Sequence, residues 1–496
     1  MSGTIEENKM SALAIAENTA KDRSSGKEPL DLSWPEWKWP LYFMLCFSAL
    51  GLKFPLAYLL IPVILINRFR NDRYDFTIMI TLLCGEYGIT CKNTFGVQIY
   101  FAFFCIAVLG LFIYRKSGIT KKIVVAWCLY AAGLITFAML SEERMAVQYT
   151  AIIRYLAIIL FIIPLMIFSG DHSFDIRTFF RRLMPYCLIA CIWYILDCVI
   201  IGGWIFIPNT QNPWADPNLF SKFYSPILTG VFSFPRKYPN GLYILAMAIY
   251  PVIKFYKLSK WQWALIFIAL ATTRTFSFIF ALVATYLFFK GQGKKLLKYI
   301  VYCIIGFCCL YFIDGFLPYN TEVKQSTLRI KSTIDQIFIL QEMEDDEDLS
   351  EFGTGRMAQI LPKMELLYDL DRQWIGFGFL NPEKTTMTKY IIYNPFYTDQ
   401  SKSEEVAAQV EVTVIQHILF IGYLGLIMVI LFYGYICWTI RKQPYARYTY
   451  SLIMFFCIAG IGGFGGLVFT ESLGFIALAL SVVVLNAKQM EKAYCK

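Results

Sequence analysis

Apolar runs long enough to cross a bilayer recur along almost the whole chain, separated by short segments that carry much of its basic charge. A spanning helix needs roughly 20 apolar residues. Runs of about that length stand at Phe95–Tyr114, Ile123–Leu140, Val147–Phe168, Met184–Phe206, Tyr238–Tyr256, Leu296–Phe316, Val412–Trp438 and Tyr448–Phe469, with a shorter one at Leu473–Val484. A weaker run from about Phe76 to Ile89 contains Glu86. Two further blocks are interrupted. Lys53-Phe54-Pro55 divides residues 41–66, and Thr272-Thr273-Arg274-Thr275 divides residues 261–289, so each reads as one kinked helix or two short ones. The fold class implied is all-α: a polytopic membrane protein of about 12–14 transmembrane helices.

Composition agrees. Apolar residues make up 57% of the 496 and charged residues 16%, too few charges to wet the surface of a soluble chain this long. The net charge of +9 is no sign of nucleic acid, because the basic residues fall in short connections, as in cytoplasmic loops. Arg115-Lys116 with Lys121-Lys122, the cluster at Arg177, Arg181 and Arg182, Lys254/Lys257/Lys260, Lys290 to Lys298, and Arg441-Lys442 alternate along the chain as a cytoplasmic set. Both termini then lie on that side, and the connections at 207–237 and 317–411 face outward. The division expected is a disordered cytoplasmic tail (1–38), a helix bundle (39–316), a large extracytoplasmic loop with short helices (317–411), closing helices (412–488) and a short cytoplasmic tail (489–496). No cleavable signal peptide is visible. Most of the 14 cysteines lie in apolar runs and none pairs at metal-ligand spacing, so neither disulfides nor a metal are expected.

Charge inside a span is expensive and marks either function or a buried partner. Arg154 lies within Val147–Phe168, Arg274 at the break between two short helices, and Arg236 just ahead of Tyr238–Tyr256, while Arg356 opens the polar stretch of the large loop. In the topology above the first three converge on the outer boundary, and Arg356 opens a loop helix placed to cover them. Guanidinium groups keep their charge in a dry site and hold phosphate oxygens through paired N–H donors, which suits a lipid diphosphate. The alternative is ion pairing with acids such as Glu86, Glu143 or Asp197. His417, one of two histidines, stands at the outer end of a span, where a neutral imidazole can accept a proton near neutral pH; a structural histidine is the alternative. Tyr238, Asn240 and Trp374 are candidate glycan contacts.

The order of these features carries a resemblance. Arg236-Lys237-Tyr238-Pro239-Asn240-Gly241 leads into a helix, and a Thr-Arg-Thr break follows. Arg356 and Trp374-Ile375-Gly376-Phe377-Gly378 lie in a large external loop, and His417 stands at the mouth of the next helix with Gly422 and Gly425 behind it. Over residues 236–425 this resembles the O-antigen polymerase and O-antigen ligase superfamily of bacterial envelope glycosyltransferases. The break there is usually Ser-Arg-Ser/Gly and the histidine is followed by Asn, where this chain has Thr273 and Ile418.

The resemblance implies an inverting, cofactor-free and metal-independent transfer of a glycan from undecaprenyl diphosphate at the outer face of the bacterial inner membrane. Arg154, Arg236, Arg274 and Arg356 would hold the diphosphate and His417 would be the base. Lipid-linked oligosaccharides would be the substrates, with a chain-length regulator and a flippase as partners. A polymerase of repeat units is expected ahead of a ligase that moves finished chains to another acceptor. From a different class, a polysaccharide flippase is the rival.

Overall fold

The computed structural model describes residues 27–51, 55–84, 118–140, 174–196, 241–271, 273, 276–298, 301–302, 305, 364, 367–378, 413–461 and 470–494. Among these, 83% are helical. The helices are α1 (Trp34–Gly51), α2 (Pro55–Asn71), α3 (Arg73–Cys84), α4 (Gly118–Met139), α5 (Ile176–Leu196), α6 (Leu245–Lys254), α7 (Lys260–Ala271), α8 (Phe276–Phe289), α9 (Thr413–Ile440), α10 (Ala446–Ile461) and α11 (Thr470–Tyr494). Strand β1 (Glu28–Pro29) pairs in parallel with β2 (Tyr256–Lys257). Three helical stretches, Lys121–Met139, Ile176–Leu196 and Val414–Ile440, are long and apolar enough to cross a membrane. The block at 41–66 falls in two helices, and so does 261–289.

Four helices, α1, α3, α5 and α7, begin at one end of the bundle with side-chain caps. At α1 the Glu36 carboxylate reaches back to its cap residue, Oε2 accepting from Ser33 N (2.7 Å) and Ser33 Oγ (2.9 Å). Ser259 and Gln262 form a reciprocal capping box at α7, Gln262 Oε1 accepting from Ser259 N and Ser259 Oγ accepting from Gln262 N. Asp72 accepts from the Tyr74 and Asp75 amides at the start of α3, and Asp175 accepts from Arg177 and Thr178 at the start of α5. A capped start satisfies amides that have no partner inside the helix.

Aromatic packing sets the helix directions. Phe180 on α5 meets Tyr250 and Phe255 while Cys187 Sγ donates to Ile244 O, so α5 and α6 run antiparallel. Tyr250 meets Tyr448 and Tyr243 meets Phe456, which makes α6 antiparallel to α10. Tyr130 stacks on Phe432 at 4.1 Å, Trp127 abuts the same ring, and a Cβ at Gly133 would strike Met428, so α4 runs antiparallel to α9. These relations bring Lys121, Arg181, Lys257 and Arg441 to one end, hereafter the basic end.

Residues 27–38, expected in a disordered tail, are ordered: α1 begins at Trp34, and the segment before it straps the basic end. The reason is a set of long-range partners. Besides the β1–β2 pairing, Lys27 Nζ donates to Val252 O, Gln262 Nε2 donates to Leu30 O, and the Leu30 side chain is buried. The rest of the tail, 1–26, lies outside the described residues, as do the spans expected at 95–114 and 147–168, the connection at 207–237, and most of the span at 296–316 and of the loop at 317–411.

Candidate functional site

Helix α9 contains no charged residue and no proline, yet it breaks at Gly422, whose φ of 62° and ψ of −172° lie in a region that only glycine occupies readily. The break releases two backbone pairs. In an unbroken helix the amides of Tyr423 and Leu424 would donate to the carbonyls of Leu419 and Phe420. Here residues 373–378 take all four groups. Phe377 N donates to Leu419 O (2.7 Å), Gly378 N to Phe420 O (2.9 Å), Tyr423 N to Gln373 O (2.9 Å) and Leu424 N to Trp374 O (3.1 Å). Two intrahelical bonds are thus exchanged for a clamp of four between loop and helix.

Close backbone approach makes the clamp possible. A Cβ on Gly376 (φ +72°) would lie 2.6 Å from the Phe420 carbonyl carbon and 2.7 Å from the amides of Ile421 and Gly422. On Gly422 it would strike the Trp374 carbonyl and lie 2.5 Å from Ile375 N. The two glycines face each other's backbone, which is what the Gly-Phe-Gly sequence does in this chain. The clamp segment is aimed by a Schellman turn: Arg372 N donates to Leu367 O and Asp371 N to Tyr368 O, with Asp371 left-handed at φ 53°. Arg372 Nη1 donates to Leu140 O just past α4, so loop, α4 and α9 meet at one level.

The sequence-nominated residues fall around this clamp or outside the described part. His417 lies on α9, five residues ahead of the break, with only 4% of its surface exposed. Trp374 sits in the clamp turn and is exposed at 55%. Its ring meets that of Tyr423 at 6.1 Å and 72°, and Tyr368 and Tyr423 share a hydroxyl hydrogen bond of 2.8 Å. Neither tyrosine was nominated from sequence; the only signal was their position beside Trp374 and the glycines. Arg154, Arg236, Arg274, Arg356, Tyr238 and Asn240 lie outside the described residues. Next to Arg274, Thr273 is buried, and its hydroxyl lies 3.2 Å from Tyr194 Oη near the end of α5, so the helix break is tied to the end of the bundle opposite the basic one.

The basic end holds a second charged cluster. Arg68 is buried, with its guanidinium 3.8 Å from the Trp39 ring centroid, hydrogen-bonded to Asn67 Oδ1 and 3.7 Å from Asp75. Arg182 pairs with Asp72 at 3.0 Å, and Tyr186 Oη donates to Asp75 Oδ1 at 3.2 Å. Asp75, in the first turn of α3 ahead of the helix's apolar part, has its pKa pushed up to about 7. Burial is the main cause and repulsion from Asp72 adds to it, while Arg182, Arg68 and the Tyr186 hydroxyl oppose. Nearby, Arg181 holds Glu36 at 2.5 Å. Burial raises the Glu36 carboxyl, but the bonds from Arg181 and Ser33 outweigh it and leave it below its usual range. Arg177 pairs with Glu28 at 2.8 Å. The basic cluster at 177–182, read from sequence as an orientation signal alone, is therefore also a set of structural ties.

Among the described residues no group of three His, Cys, Asp or Glu side chains is placed to hold a metal ion. Comparison with protein-family models, with curated proteins and with solved structures found no match to the chain.

Proposed function

We propose that the chain is a polymerase that joins undecaprenyl-diphosphate-linked oligosaccharide units into a surface polysaccharide. The single observation that carries this reading is the clamp. It holds a segment of the large loop against the break in α9, five residues beyond the one histidine of that helix. From the break to Ile440 the helix runs about 27 Å, close to the roughly 30 Å of a bilayer's hydrocarbon core. From Lys121 to Leu140, where Arg372 reaches, α4 runs about the same length. Both lengths support a clamp at the outer boundary, and on this reading His417 stands a turn and a half beyond it. A lipid-linked diphosphate places its phosphates and first sugar at that depth.

The chemistry follows from the residues named by sequence. Arg154, Arg236, Arg274 and Arg356 hold the diphosphate and take up the charge that develops as the glycosidic C–O bond breaks. His417 accepts the proton of the acceptor hydroxyl as that oxygen attacks from the opposite face of the sugar. The loop expected to carry Arg356 also carries the clamp, so this reading couples Arg356, among the four arginines, to docking of the loop. The chain lies in the bacterial inner membrane with about 12–14 spans, both termini cytoplasmic and the site outward. Basic residues gathered at the end opposite the clamp support that orientation.

The test is reconstitution. Purified protein in nanodiscs, supplied with lipid-linked repeat units, should yield a ladder of longer lipid-linked products and free undecaprenyl diphosphate without added metal. No product longer than one unit refutes polymerase activity.

A further inference from the structure

We propose that Trp374, Tyr423 and Tyr368 form a stacking platform for the pyranose rings of the growing glycan, and that this platform sets how many units are added before release. The inference rests on the polymerase reading and goes further, in assigning the glycan a binding surface. Trp374 is 55% and Tyr368 50% exposed, and both stand on a polar loop segment (Asp369, Asp371, Arg372 and Gln373) rather than on an apolar helix face. The Trp374 ring is braced at 72° by Tyr423 and remains more than half exposed. Its backbone is held by the four-bond clamp and by two glycines that admit no side chain, so the platform is preorganised and little ordering opposes binding.

The hydroxyl pair adds polarity to the apolar rings. Whichever tyrosine donates across the 2.8 Å contact, the acceptor keeps its own O–H to give away. A pyranose presents an apolar C–H face to stack on an indole and a rim of hydroxyls to meet such a donor and acceptor. A lipid headgroup anchor would use the same rings differently, needing only their apolar bulk at the interface.

The two uses are separable. The mean number of units added per encounter is the ratio of extension rate to release rate, and weaker stacking raises release. In a deletion strain complemented with variants, Trp374→Leu keeps apolar bulk but removes the ring, and roughly a two- to tenfold fall in mean chain length is expected at unchanged protein level. Trp374→Tyr should stay within about twofold of wild type, since it restores a ring. Tyr423→Phe, which removes one hydroxyl and disturbs nothing apolar, should shorten chains by a smaller factor. It remains informative should Trp374→Leu fail to accumulate.

Wild-type chain lengths in both Trp374→Leu and Tyr423→Phe overturn the platform while leaving the polymerase intact. Equal loss in the Leu and Tyr variants, together with loss of protein from the membrane, assigns Trp374 to anchoring and also overturns it. A deletion strain whose ladder is unchanged refutes the polymerase reading itself, and the platform with it.

Discussion

Replacing Gly422 with alanine attacks the clamp at its centre. Residues other than glycine held in this backbone region carry a strain of about 1–3 kcal/mol. The new methyl would also meet the Trp374 carbonyl and the Ile375 amide, which are backbone atoms that cannot rotate away. The chain has one cheap escape: the loop detaches and α9 straightens. That gives up the four clamp bonds and recovers two intrahelical ones, a net loss of two at about 0.5–1.5 kcal/mol each. Straightening returns up to about 1 kcal/mol, because alanine favours helix over glycine. Strain relief therefore drives detachment, and the bundle itself should remain folded.

Hydrogen–deuterium exchange in nanodiscs reads this directly. In wild type the amides of Phe377 and Gly378 should be protected. In Gly422→Ala they should exchange roughly 10- to 100-fold faster, corresponding to about 1.4–2.8 kcal/mol. The Tyr423 and Leu424 amides should stay protected, because the straightened helix now satisfies them. Gly376→Ala should behave alike, and the double variant should be scarcely worse than either, since both break one clamp. Protected Phe377 and Gly378 amides in Gly422→Ala would refute the argument from the break.

Further outcomes follow from the charged residues and the helix break. Asp75 is held protonated in the fold to about pH 7 against a usual 3.8, so the folded state binds the extra proton in that window and stability falls as pH rises through it. Thermal unfolding of the purified protein should show this fall, worth up to about 4 kcal/mol, between about pH 4 and 7, and Asp75→Asn should flatten it. A variant that keeps the full slope would reassign the titration. Glu36 acts the other way and below this range: its lowered pKa adds stability that is lost only on acidification. Thr273→Val, which leaves the buried Tyr194 hydroxyl without the Thr273 contact, should cost about 1 kcal/mol in unfolding and reduce chain extension through Arg274 next to it. In a glycan ladder, Arg356→Ala should abolish extension with protein abundance unchanged, and normal chain lengths would remove it from the diphosphate site.

Much of the fold was legible because its signals are local. Lys53-Phe54-Pro55 and the Thr-Arg-Thr stretch break apolar runs with charge and proline, and helices end on both sides of each. The boxes Ser33-x-x-Glu36 and Ser259-x-x-Gln262 also stood in the sequence as helix starts, and the first would have moved the ordered boundary ahead of residue 38. What could not be read depends on distant partners. Ile421-Gly422-Tyr423-Leu424-Gly425 offers two glycines in one apolar run, and only the arriving loop selects Gly422 for the break while Gly425 stays helical. The burial of Arg68 has no local signal, because Trp39, Asp75 and Arg182 reach its cluster from three other helices. Of the candidate site, Trp374 and His417 were nominated by residue type and position, whereas the tyrosine pair beside Trp374 emerges only from packing across the clamp.

The most direct test of the central claim is a gel of surface glycan from a deletion strain complemented with wild type or with Arg274→Ala. The account predicts single repeat units in the deletion strain, a ladder restored by wild type and no ladder with Arg274→Ala. A ladder that persists in the deletion strain contradicts the assignment, and free lipid-linked polymer with a bare acceptor replaces the polymerase with a ligase.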